Sequence, residues 1–257
     1  MLTVKRQRKY IDRLFDKMQM SLKSFCHNKD PEELHQFRVS IKKLFGFLKL
    51  YPHTRKQKKS KEHILSLKEI FKHAGIIRSG HIHLQLMEKY KNTNRAIIQH
   101  QQQDINDQIT RFELKLIRYK NSIREDRKYI IHHLCDLKKG SLLGFYKKKI
   151  KELNIFFKNK TFDMDQLHRE RKKIKILIYN YKVLPKKLTG IIRMNTEYLA
   201  RLETIIGEYH DTLSILELLN TNQLASKPTQ HKLQAQIEKL IRQIHIESSD
   251  FSKKANL

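Results

Sequence analysis

Tryptophan is absent from the 257 residues, and the turn formers are scarce, with 7 glycines and 4 prolines. So few turn formers exclude a β architecture of many short strands, and helix is what remains. Cys26 and Cys135 are the only cysteines and have no CxxC spacing, which excludes a disulfide framework and fits a reducing cytoplasm. No stretch approaches the ~18 consecutive apolar residues of a membrane span. The basic N-terminus, MLTVKRQRKYIDRLF, lacks the apolar run of a signal peptide. There is also no HExxH, no paired cysteine and no acidic triad for a metal, no GxxxxGK[ST] phosphate loop, and no Ser, His and Asp set at a familiar spacing. These absences predict a protein with no metal, no cofactor and no catalytic residue, one that binds rather than catalyses.

Acidic residues are outnumbered as well. Against 26 Asp and Glu stand 54 Lys and Arg, a formal net charge of +28. A charge of that size opposes compaction by self-repulsion and favours polyanions as partners. Nucleic acid, anionic lipid and inorganic polyphosphate all qualify, and charge does not choose among them.

Leu34 to Tyr51, LHQFRVSIKKLFGFLKLY, has two faces when laid on a helix at about 100° per residue. His35, Arg38, Lys42 and Lys49 share one side, while Leu34, Phe37, Ile41, Leu44 and Leu48 share the other. Leu167 to Leu184, LHRERKKIKILIYNYKVL, repeats the pattern: His168, Arg171, Lys175 and Lys182 keep the same offsets, as do Leu167, Ile174 and Leu177. The two histidines are 133 residues apart (168 − 35). A second marker recurs at nearly the same interval, Gly75-Ile-Ile-Arg78 against Gly207-Glu-Tyr-His210, 132 residues apart (207 − 75). A basic helix face is usually just a solvated face, and a helical histidine often caps or bridges helices. A solvated face, however, has no reason to keep its histidine, its apolar register and its spacing through a duplication. The chain reads as a duplicated unit, with halves of approximately 1–125 and 126–257.

The apolar stripe Ile11, Leu14, Phe15, Met18 and Leu22 predicts a first helix from Val4 to about His27. Asp30-Pro31-Glu-Glu is a strong start for the first signature helix, with Asp30 as N-cap, and Pro52 is its expected end. Arg55–His73 reads as a third helix stopped by Gly75, with a further helix from His81 to Tyr90 and helical sequence over Thr93–His133. Leu142–Phe157 follows, then the second signature helix, started at Thr161-Phe-Asp163 and broken by Pro185. Thr189–Ile206, Tyr209–Leu219 and Pro228–His245 complete about ten helices, the last one capped at Lys227-Pro228-Thr229. Short connections favour antiparallel neighbours, hence bundles.

The signature segments resemble those of the CHAD family, the conserved-histidine α-helical domain. Its first-half motif, H-x-x-R-V-x-x-K/R-K/R, is matched by His35, Arg38, Val39, Lys42 and Lys43. Its second-half motif, H-x-x-R-K-x-x-K ending in a tyrosine, is matched by His168, Arg171, Lys172, Lys175 and Tyr179. A glycine turn in each half is matched in part, by Gly75 with Arg78 and by Gly207 with Asp211. The sequence departs from the pattern at Ser79, where an acid is usual, and at Phe45, Ile176 and Ile178, where basic residues are common. The resemblance implies one all-α domain over 1–257, made of two pseudo-two-fold-related antiparallel helical bundles. It further implies inorganic polyphosphate as ligand, held in a groove or pore where the two basic faces meet, and association with polyphosphate granules. Its ligand-facing residues would be His35, Arg38, Lys42, Lys43, Lys49, Arg78, His168, Arg171, Lys172, Lys175 and Lys182. Such domains are sometimes fused to triphosphate-tunnel (CYTH) enzymes, so docking onto one is a third reading beside polyphosphate and nucleic acid.

The chemistry suits a phosphate polymer. Such a chain offers roughly one negative charge per unit and little else to recognise, so a protein must present cations along a track and release counterions. Arg38 and Arg171 supply planar forks for paired oxygens, and the lysines supply point charges. Stacking on bases would call for exposed aromatics, and Tyr179 is the one aromatic expected near the basic face.

Overall fold

A computed structural model of the chain describes residues 1–51, 57–89, 95–159, 163–221 and 226–255. Among the described residues the only regular structure is helix, so the fold is all-α; one isolated bridge joins Leu2 to Leu137. The helices are α1 (Val4–Asn28), α2 (Pro31–Leu48), α3 (Gln57–Lys89), α4 (Arg95–Leu114), α5 (Leu116–His132), α6 (Lys139–Phe157), α7 (Met164–Tyr181), α8 (Lys186–Ile192), α9 (Thr196–Thr221), α10 (Lys227–Ser248) and α11 (Phe251–Ala255). They gather into two compact units, Leu2–Leu137 with α1 to α5 and Lys138–Leu257 with α6 to α11.

In the first unit α1 packs along α2, and α3 packs against α2, α4 and α5. The stripe read from α1 is its core face: Ile11, Leu14, Phe15, Met18 and Leu22 are all buried, and Phe25 extends it. Each such side chain contributes about 1.5–3 kcal/mol by leaving water. Phe25, Phe112, Tyr119 and His73 form an aromatic cluster, with the His73 and Phe112 rings 5.0 Å apart and His73 Nδ1 2.9 Å from the Tyr119 hydroxyl. Gln7 is fully buried and donates to the carbonyls of Leu2 and Cys135, both at 2.8 Å, while accepting from the Tyr51 hydroxyl. One amide thus ties the start of the unit, the end of α2 and the chain beyond α5. Arg127 on α5 bridges Asp12 and Asp16 of α1 at 2.7 and 2.8 Å.

In the second unit α7 and α10 pack on α9, and α6 packs on α7, α8 and α11. Phe157, Tyr198 and Phe251 close one side of the core. The Tyr198 hydroxyl donates to the carbonyl of Glu247 at 2.9 Å.

Both signature helices start at an aspartate. Asp30 accepts from the backbone of Glu32 at 2.8 Å, with Pro31 in the first helical position, and Asp163 accepts from the backbone of Gln166 at 3.2 Å. These caps satisfy donors that the first helical turn leaves open. Other expected boundaries move. Gly75 does not stop a helix, because α3 runs unbroken to Lys89, so His81 continues that helix rather than starting another. Gly207 likewise lies inside α9, which begins at Thr196, and Thr189 belongs to the short α8. The last long helix is capped by Ser226, not by Lys227-Pro228-Thr229, with the Ser226 hydroxyl accepting from Thr229. The expected ends at Pro52 and Tyr90 and starts at Arg55, Thr93 and Thr161 lie outside the described residues.

Candidate functional site

The apolar faces of α2 and α7 are buried as the pattern predicts: Leu34, Phe37, Ile41 and Leu44 in one, Leu167, Ile174 and Leu177 in the other. Burial of those faces turns Arg38 and Lys42, and separately His168, Arg171 and Lys175, toward the long helix each one packs on, α3 or α9.

The same contact is built once in each unit. The Arg38 guanidinium lies across α3 and donates to the carbonyl of Phe71, four residues before Gly75. The Arg171 guanidinium lies across α9 and donates through Nε to the carbonyl of Glu203 at 3.3 Å, four residues before Gly207. The glycines make room for this. A Cβ placed on Gly75 would sit 2.9 Å from Arg38 Cζ, and one on Gly207 the same distance from Arg171 Cζ. Glycine inside a helix costs about 1 kcal/mol relative to alanine, and here that cost allows a guanidinium to rest on the backbone.

The surroundings of the two arginines differ. Arg38 Cζ stands 3.9 Å from the centroid of the Phe71 ring, a cation–π contact, with Lys42 Nζ at 5.9 Å from the same ring. Phe45 packs edge-on against Phe71 at 6.4 Å, so a residue that departs from the family's basic pattern serves as backing for this aromatic. Burial and the nearby charge of Arg78 hold the Arg38 guanidinium below its ordinary pKa. Arg78 is also lowered by burial, and its Nη1 lies 3.9 Å from Glu32 Oε2. Beside Arg38 opens a cleft of about 830 Å³ between α3 and α4, lined also by Lys72, Ser79, His83, Gln101 and Gln108.

In the second unit Glu203 occupies the place of Phe71. Its carboxylate accepts from Arg171 Nε at 2.8 Å and pairs with Lys175 Nζ at 3.0 Å. Burial pushes the Tyr179 hydroxyl up, and Glu203 adds to the shift. His168 stacks on His210, ring centroids 4.4 Å apart and 26° from parallel.

Of the expected residues, the structure brings Arg38, Lys42 and Arg78 together in one unit, and Arg171 and Lys175 in the other, with His168 held by His210. Lys49 and Lys182 are the C-cap residues of α2 and α7, one at the far end of each signature helix. Lys43 and His35 are half-buried on α2, and Lys172 is exposed on α7. Sequence reasoning gave Phe71 and Glu203 no part in the site and found His210 only as the last residue of the repeated glycine marker, the counterpart of Arg78. The interval of 132 that relates Gly75 to Gly207 also relates 71 to 203, and would have found the pair. Among the described residues no group of three or more His, Cys, Asp or Glu could hold a metal ion, and no helix is long and apolar enough to cross a membrane.

A family model described as CHAD domain matches residues 9–220 of the chain. No curated protein and no solved structure matches it.

Proposed function

The chain belongs to the CHAD family, and from that premise we propose that it binds inorganic polyphosphate without acting on it, through the cations on α2 and α7 and the arginine on α3. The observation that carries this reading is the clamped arginine. In each unit a guanidinium is fixed against a helix backbone by the protein's own hydrogen bond, one or two turns from further cations. A preset planar fork suits paired phosphate oxygens, and fixing it in advance lowers the cost of binding. The carboxylate nearest the second fork, Glu203, is tied to Arg171 and Lys175, an arrangement for holding cations in place rather than for chemistry on a bound anion. Association with polyphosphate granules would follow from the same affinity.

The test is a titration of long-chain polyphosphate into wild type and Arg38→Ala/Arg171→Ala at several salt concentrations. Binding should weaken at every salt, and the slope of log K against log salt should fall by about two, one for each lost phosphate contact. Unchanged affinity in a folded double variant would reject the reading. Competition by transfer RNA separates the two polyanions: a nucleic-acid binder would be displaced from polyphosphate by far less RNA than a polyphosphate binder.

A further inference from the structure

Position for position, the two units surround their arginines differently. Where Phe71 offers Arg38 and Lys42 the face of a ring, Glu203 offers Arg171 and Lys175 a full negative charge. Where Arg78 adds a cation near Arg38, His210 adds an imidazole stacked on His168.

We propose that the two ridges are unequal anion sites: Arg38 and Arg78 form the tighter phosphate seat, while Glu203 is a built-in competitor that weakens the seat at Arg171 and Lys175. This ranking rests on the polyphosphate reading and deepens it.

Electrostatics separates the two seats. Glu203, Arg171 and Lys175 are 17%, 19% and 28% exposed, so their ion pairs are largely shielded from water and from salt. A phosphate arriving there must replace a carboxylate already in contact, and the displaced carboxylate would then repel it at short range. Arg38 has no such partner. Its contacts are a neutral ring and a carbonyl, and among the described residues no carboxylate pairs with it. The acids around this seat are exposed: Glu32, 3.9 Å from Arg78, and Asp104, on the wall of the adjoining cleft, are each 57% exposed, where solvent screens them. Arg38 and Arg78 thus stand as neighbouring, partly desolvated cations. An anion reaching both relieves their repulsion rather than breaking a bond. The adjoining cleft of about 830 Å³ has room for a phosphate group, and its wall carries Lys72 as well as the exposed Asp104.

Calorimetric titration of the full chain with tripolyphosphate, a probe with few contacts, tests the ranking. Arg38→Ala should weaken binding about tenfold or more, and Arg171→Ala less than about threefold. Glu203→Gln keeps the shape and should add a second binding event, or tighten the overall affinity about five- to tenfold. Phe71→Glu carries the competitor to the other unit and should weaken binding as far as Arg38→Ala does. Helix content by circular dichroism confirms that each variant is folded, and Glu203→Gln stands on its own if Phe71→Glu is not. Equal losses from Arg38→Ala and Arg171→Ala, or weaker binding by Glu203→Gln, would overturn the ranking while leaving polyphosphate binding intact. A wild type that binds neither tripolyphosphate nor long-chain polyphosphate would overturn both.

Discussion

Gly75 and Gly207 are where a single atom decides the site. Adding a methyl group at either would drive the guanidinium off its carbonyl, since the far end of a flexible side chain is what would have to move. The fold itself would lose little: alanine is the better helix former by about 1 kcal/mol, which offsets the lost hydrogen bond. Gly75→Ala is therefore expected to leave the midpoint of thermal unfolding within a few degrees of wild type while weakening polyphosphate binding about as much as Arg38→Ala does. Unfolding curves and titrations on the same preparation check both halves of that statement. The arginines were legible in the sequence because they recur with their histidines and apolar register. The meaning of the glycines was not. A lone glycine after an apolar stripe ordinarily stops a helix, and only the side chain arriving from a neighbouring helix shows that it makes space instead.

At the level of the helices, the pattern of buried faces was readable in α1, α2 and α7, where apolar residues recur at helical spacing and an aspartate marks the start of both signature helices. Helix α3 was less readable, since Gly75 reads as a stop in the sequence yet lies inside the helix, where it faces Arg38. One contact of this helix makes stability depend on pH. Asp126 of α5 is buried against α3, accepting from the Ser66 hydroxyl at 3.3 Å, and burial raises its pKa to about 7. An acid that holds its proton more tightly when folded lowers stability as the pH rises. The penalty is absent below about pH 4, grows between about pH 4 and 7, and is complete above that. It accumulates at roughly 1.4 kcal/mol for each pH step between the unfolded and folded pKa values. Asp126→Asn should therefore flatten the dependence of unfolding free energy on pH across this window. It should be more stable than wild type at pH 8 and nearly indistinguishable near pH 4. Urea titrations across that range give the comparison, and a parallel offset at every pH would mean that Asp126 is not the titrating group.

For the molecule as a whole, composition pointed to the fold class, and the repeat marked the two helices that carry the clamped arginines. Neither could show that Phe71 and Glu203 set the two ridges apart, because each faces the ridge from a different helix and carries no periodic signal of its own. The bridge between Leu2 and Leu137, which the buried amide of Gln7 reinforces from the inside, bears on the first unit as a whole. The first and last residues of that unit are hydrogen-bonded partners, so its backbone describes a nearly closed loop. A segment of residues 1–137 expressed alone should fold as an autonomous helical protein, seen as a cooperative melt by circular dichroism. Circular permutants that join its ends through a short linker, with new termini opened between two of its helices, should keep the same architecture.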